Sequence, residues 1–234
     1  MDARGVLICI ALGALGLQAQ TVRVPFVGCE SSSQTGFLKA PKGATRAIQG
    51  DARMIRELAH YEAANGLSVL APKGWQCFGT SGSSGAELLV LSRPITAADW
   101  SRTTSPAVHV EDLSGETSGR FEVAEVIARV FPARRAFVQG VLAMFDLPAS
   151  TYTYGPYPDD KLIVRNDRLV QFQTPPRAEG LGTMSRLKAN DDPIDGVATL
   201  EGKTPDLLML RVRLPRELRT LTSIIIDQVQ REHR

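Results

Sequence analysis

The chain has 234 residues, with 27 Lys and Arg against 25 Asp and Glu, 43% hydrophobic residues and three cysteines. That apolar content excludes a disordered chain, and a formal charge of +2 leaves no concentrated basic surface for nucleic acid or an anionic membrane. The length allows one domain, or two at most, and no stretch reaches the ~18 to 20 uninterrupted apolar residues of a membrane span.

Met1 to Arg4 is short and basic at Arg4, Val6 to Leu17 is apolar, and Gln18-Ala19-Gln20 follows. This order is that of a secretory signal peptide over residues 1–19, cleaved near Ala19 or Gln20. It predicts a periplasmic or secreted protein with no transmembrane segment after cleavage, and a single α+β domain over residues 20–234. Cys9 follows Val6-Leu7-Ile8, not the small residues of a lipid-attachment site. Cleavage removes Cys9 and leaves Cys29 and Cys77 in an oxidising compartment, which predicts a disulfide between them, with two buried free thiols as the alternative. A redox-active pair would sit two residues apart.

In chain order, Thr21 to Gly28 alternates apolar residues around Pro25 and predicts an edge strand. Ser31 to Gly50, rich in Ser, Gly, Lys and Pro, predicts a surface connection. Asp51 to Asn65 carries Met54, Ile55, Leu58 and Tyr61 at helical spacing, with Asp51 as cap and Gly66 as stop, and predicts a helix. Short strands are expected over Leu67 to Leu70, Trp75 to Phe78 and Glu87 to Leu91. Ala107 to Glu111 alternates Val108 and Val110 against His109 and Glu111, which places the histidine on the outer face of a half-buried strand.

Phe121 to Phe131 and Ala133 to Phe145 each present one apolar stripe and meet at Pro132, which predicts a hinged helix pair. Lys161 to Arg165 with Arg168 to Gln173, and Val197 to Glu201 with Leu207 to Leu214, read as hairpins. In the last strand Leu208, Leu210, Val212 and Leu214 face the core while Arg211 and Arg213 point away. Pro215 opens a final helix with the stripe Leu218, Leu221, Ile225 and Val229. Hairpins with clustered helices predict an α+β fold: a mostly antiparallel sheet with a helix pair and a C-terminal helix packed on it.

Gly79-Thr80-Ser81-Gly82-Ser83-Ser84-Gly85 lacks the lysine of a phosphate-binding loop and the Gly-x-Ser-x-Gly of a nucleophile elbow, so it reads as a hairpin connection. A serine triad has only His60, His109 and His233 to draw on. These histidines include no His-x-x-x-His pair, and the cysteines are committed to the disulfide, so neither a catalytic set nor a metal or other cofactor is expected. Asn190-Asp191-Asp192-Pro193-Ile194-Asp195-Gly196 departs from calcium-loop spacing and reads as a turn, as does Asp159-Asp160. The remaining candidate is Tyr152, Tyr154 and Tyr157 on a proline-stiffened loop, where aromatic rings can anchor a ligand or fold down over the helix pair.

Three blocks carry a resemblance: Ala71-Pro72-Lys73-Gly74-Trp75-Gln76-Cys77-Phe78-Gly79, Thr117-Ser118-Gly119-Arg120-Phe121-Glu122-Val123-Ala124, and Glu179-Gly180-Leu181-Gly182-Thr183. Together they resemble a family of uncharacterised predicted secreted proteins of Gram-negative bacteria. The family has no assigned activity, so the resemblance implies export and the cysteine placement and transfers no catalytic residue. The expected function is a non-catalytic binding or inhibitory module at the cell envelope, its partner an envelope protein or a glycan and not a nucleic acid. The alternative is a serine-dependent hydrolase using the Gly79 to Gly85 loop.

Overall fold

The computed structural model describes residues 20–232; the expected signal peptide and His233 lie outside the described residues. Its strands are, in chain order, Gln20–Val24 (β1), Phe26–Cys29 (β2), Ser31–Ser33 (β3), Gly36–Leu38 (β4), Arg46–Gly50 (β5), Leu58–Ala63 (β6), Ser68–Pro72 (β7), Gln76–Gly82 (β8), Gly85–Leu91 (β9), Ala107–Leu113 (β10), Lys161–Val164 (β11), Leu169–Thr174 (β12), Ile194–Glu201 (β13) and Asp206–Arg213 (β14). The helices are Ala52–Ile55 (α1), Arg120–Val130 (α2), Arg135–Met144 (α3) and Thr222–Glu232 (α4).

Nine strands form the main sheet in the order β11-β12-β13-β14-β10-β9-β8-β3-β4, and only the short β3 runs parallel to its neighbour β8. Alternation along these strands gives the sheet two apolar faces. Val90, Val108, Val110, Leu210 and Val212 pack with the small sheet β2-β6-β7 and with Ile225 and Val229 of α4. Val170, Ala198, Leu207 and Met209, on the opposite face, pack with Val123, Ile127 and Val138 of α2 and α3. Each fully buried Val, Leu, Ile or Met among them contributes about 1.5–3 kcal/mol of transfer free energy. The fold is therefore α+β, mostly antiparallel, with the helix pair on one face and the C-terminal helix on the other. Among the described residues no helix is long and apolar enough to cross a membrane.

The disulfide joins Cys29 to Cys77, with Cα atoms 5.4 Å apart, and ties β2 to β8 across a sequence separation of 48. Both expected hairpins form, β11 with β12 and β13 with β14. Pro215 precedes a 3-10 segment, Arg216–Leu221, before α4 begins.

Other expectations are corrected. The helix expected over Asp51 to Asn65 is only the four-residue α1, capped by the Asp51 carboxylate, followed by β6. Leu58–Ala63 takes extended structure because β2 and β7 pair with it on both sides and five of its six residues are buried, so tertiary hydrogen bonding outweighs a helical spacing. The connection expected over Ser31 to Gly50 contains β3, β4 and β5, and the edge strand at Thr21 to Gly28 is two strands in different sheets that divide at Pro25. The Gly79 to Gly85 stretch is mostly strand, with Ser83-Ser84 alone forming the turn between β8 and β9.

His109 is not on a solvated face: it is fully buried. Arg211 and Arg213 point away from the apolar core as expected, yet both are also buried. The segments around Thr103 to Ser105 and Leu181 to Lys188 cover them and satisfy their guanidinium groups with backbone carbonyls.

Candidate functional site

Strand register builds a polar row on the helix-bearing face. Glu87 of β9 stands directly opposite Glu111 of β10, and His109, two residues before Glu111, lies on the same face. Like charges directly opposite repel, so the pair needs cations. Arg186 supplies one, with Nε donating to Glu87 Oε2 at 2.9 Å and Nη2 to Oε1. Arg211 supplies the other through Nη1 to Glu111 Oε2, while its Nε and Nη2 donate to the carbonyls of Leu181 and Met184 at 2.9 Å. His109 Nε2 lies 3.0 Å from Glu87 Oε2 and 4.0 Å from Glu111 Oε1. Burial by itself raises the Glu87 pKa, but hydrogen bonds from His109, Arg186 and Thr80 prevail and hold it well below the usual carboxylate range.

Helix α2 roofs this row. Its approach is set by Gly119, where a Cβ would stand 2.1 Å from the Ser84 carbonyl oxygen; only a glycine lets the start of the helix rest on the β8–β9 turn. Between α2 and the sheet lies an open cleft of about 650 Å³, floored by Glu87, Glu111, Met209 and Arg211 and flanked by Glu122 and Glu125 of α2, Tyr157, Glu179, Arg186 and Arg102. Ser81 and Ser84 line its hairpin edge. Five glutamates thus meet three arginines. Glu122, Glu125 and Glu179 form no ion pair among the described residues, whereas Glu87 and Glu111 are both matched.

Of the tyrosines singled out by the sequence, only Tyr157 lines the cleft; its ring lies under the Arg129 guanidinium at 4.0 Å. Burial raises its phenol pKa, with Arg129 opposing and Glu125 reinforcing. Tyr154 is half-buried on α3, accepting a hydrogen bond from Gln139 Nε2 at 3.0 Å beneath Arg135. Tyr152 is buried at 8% exposure with a hydroxyl that has no partner, and burial followed by Glu125 and Glu122 raises its pKa. The structure therefore does not gather the three rings on one surface.

Neither Ser81 nor Ser84 meets His109, whose Nε2 is taken by Glu87 and whose Nδ1 has no hydrogen-bond partner. The acidic segment leading into β13 is taken up by arginines and a glutamine: Asp191 pairs with Arg177, Asp192 with Arg219, and Asp195, within β13, accepts from Gln173. Asp160 accepts from Thr174 Oγ1 at 2.6 Å and the Leu181 amide at 2.8 Å, which anchors the loop that carries Glu179.

The sequence reading passed over Glu87, Glu122, Glu125, Glu179 and Arg186. One signal was present: Glu122 and Glu125 sit three residues apart on the polar side of α2, hence on one face of the helix. The donors that hold a metal ion most readily, by position, are Glu87, His109 and Glu111, whose ligand atoms all lie within 4.8 Å of one another. Compared with known proteins, the chain matches no family model and has no significant match among curated proteins or solved structures.

Proposed function

We propose that this chain is an exported, non-catalytic binding module of the cell envelope, which holds a polar group of an envelope protein or glycan in the cleft beneath α2. The observation that carries this reading is the cleft itself: about 650 Å³ of open space edged by three glutamates free of ion pairs among the described residues. Carboxylates that the fold does not use for its own cohesion are available to a ligand's donors. Export is supported by the N-terminal sequence, by the disulfide and by the resemblance to predicted secreted proteins.

The alternative, a serine-dependent hydrolase, draws on Ser81 and Ser84 lining the same cleft. Against it, the buried His109 directs Nε2 to Glu87 and not to a hydroxyl.

Retention of the secreted chain on envelope protein and glycan fractions separates the two. Glu122→Gln with Glu125→Gln should cut retention while shifting stability by less than about 1 kcal/mol, since these side chains line the surface of the cleft; Tyr157→Ala should also cut retention, with a loss of stability because its ring packs on the core, so its fold is checked by circular dichroism. Unchanged retention in both variants rejects the cleft as the site. Fluorophosphonate labelling that is lost on Ser81→Ala or Ser84→Ala would establish the hydrolase instead.

A further inference from the structure

Glu87, His109 and Glu111 belong to two adjacent strands, and backbone register alone places them on one face. Their facing atoms are Glu87 Oε2, His109 Nε2 and Glu111 Oε1, with the imidazole nitrogen 3.0 Å and 4.0 Å from the two oxygens. Donors around an ion with bonds of about 2.0–2.2 Å stand roughly 3.0–3.5 Å apart. Side-chain adjustments of less than about 1 Å would therefore complete a coordination shell.

The arginines do not fill this space. Arg211 holds Glu111 by its other oxygen, Oε2, and Glu87 Oε1 is held by Arg186 and by Thr80 Oγ1. Glu87 Oε2 also accepts from Arg186 Nε, a bond that a carboxylate oxygen retains while its second lone pair turns to an ion. Outer partners of this kind orient ligating carboxylates.

His109 is a separate observation. Its ring is fully buried, its Nδ1 has no partner, and its Nε2 points between the two carboxylates. The ring thus presents Nε2 to the two carboxylates as a third donor, and Nδ1 is available to carry the ring proton when Nε2 binds an ion.

We propose that Glu87, His109 and Glu111 bind a divalent first-row transition ion at the floor of the cleft. One imidazole nitrogen with two carboxylate oxygens suits zinc, manganese or cobalt better than magnesium or calcium. Three protein ligands leave a coordination position facing the cleft for water. The ion replaces the proton between His109 Nε2 and Glu87 Oε2, and that proton moves to Nδ1 or is released to solvent.

The test uses the full secreted chain after chelation, titrated with Zn²⁺ by calorimetry and with Co²⁺ by visible absorption. One ion per chain should bind, excess Mg²⁺ should not displace it, and Zn²⁺ should raise the melting temperature. Glu111→Gln and His109→Gln should each weaken binding by roughly ten-fold or more, with folding checked by circular dichroism. Should His109→Gln fail to fold, Glu111→Gln decides. No saturable binding at millimolar metal, or affinity unchanged by Glu111→Gln, overturns the proposal. Glu122→Gln with Glu125→Gln should leave Zn²⁺ binding in place, so that loss of metal binding and loss of envelope retention are read separately.

Discussion

Glu87 and Glu111 face each other directly across β9 and β10, and two buried or half-buried arginines from opposite sides, Arg186 and Arg211, make that like-charge pairing tolerable. The four side chains and His109 tie the loop around Leu181 to Arg186 to the centre of the sheet, so the floor of the cleft is also an anchor of the fold.

Glu87 in this anchor and, separately, the buried His60 of β6 predict an acid-sensitive fold. Burial, then the Arg46 charge, pushes the His60 pKa from 6.5 to about 4, so between those values the unfolded chain takes up a proton that the native chain refuses. Stability from this source is full above pH 6.5 and declines as pH falls towards 4, by on the order of 2 kcal/mol. The depressed Glu87 pKa contributes stability that is full above the unfolded value near 4.5 and is lost as pH falls below it. Urea unfolding followed from neutral to acid pH should show both declines. His60→Gln should flatten the upper one and Glu87→Gln the lower; a pH profile identical to the parent chain in both variants would count against this account.

Arg213 predicts a second sensitivity. Fully buried, it donates to the carbonyls of Ser105, Thr103 and Lys188. Burial lowers its pKa to about 10, which leaves it charged at neutral pH. Arg213→Met removes the donors and strands three carbonyls, at a cost of about 3–5 kcal/mol. Arg213→Lys keeps the charge but not the planar fork and should fall between the two. Urea midpoints measure both, and a Met variant within about 1 kcal/mol of the parent would remove Arg213 from the anchor.

The Cys29–Cys77 bond predicts a third. Joining chain positions 48 apart restricts the unfolded state by about 4 kcal/mol in the chain-entropy account, and it also fixes β2 against β8 beside the parallel β3 pairing. Cys29→Ala with Cys77→Ala, or reduction of the parent chain, should lower the melting temperature by several degrees or more. Equal melting temperatures with and without reductant would show that the bond does not support the fold.

Local pattern made much of this architecture legible. The stripes of Val123, Ile127 and Val130 and of Val138, Val141 and Leu142 marked α2 and α3 because a helix buries neighbours in sequence. Alternation at Leu208, Leu210 and Val212 marked β14 for the same reason, and cysteine parity after the expected cleavage pointed to the disulfide that the structure contains. Leu58–Ala63 was misread because its partners, β2 and β7, are supplied by other segments.

Alternation distinguishes the two sides of a strand but carries no information on what covers each side. Pattern within the chain was therefore enough to show that His109, Arg211 and Arg213 leave the apolar core and that the fold is α+β, with α2, α3 and both late hairpins in place, though not β3 to β6. That loops bury those three residues, that register sets Glu87 against Glu111, and that α2 stands far enough off the sheet to leave a cleft emerges from the assembled chain. Those outcomes depend on contacts between residues about 20 to 100 positions apart, such as His109 with Glu87 and Arg211 with Glu111, whose geometry exists only once the strands have paired.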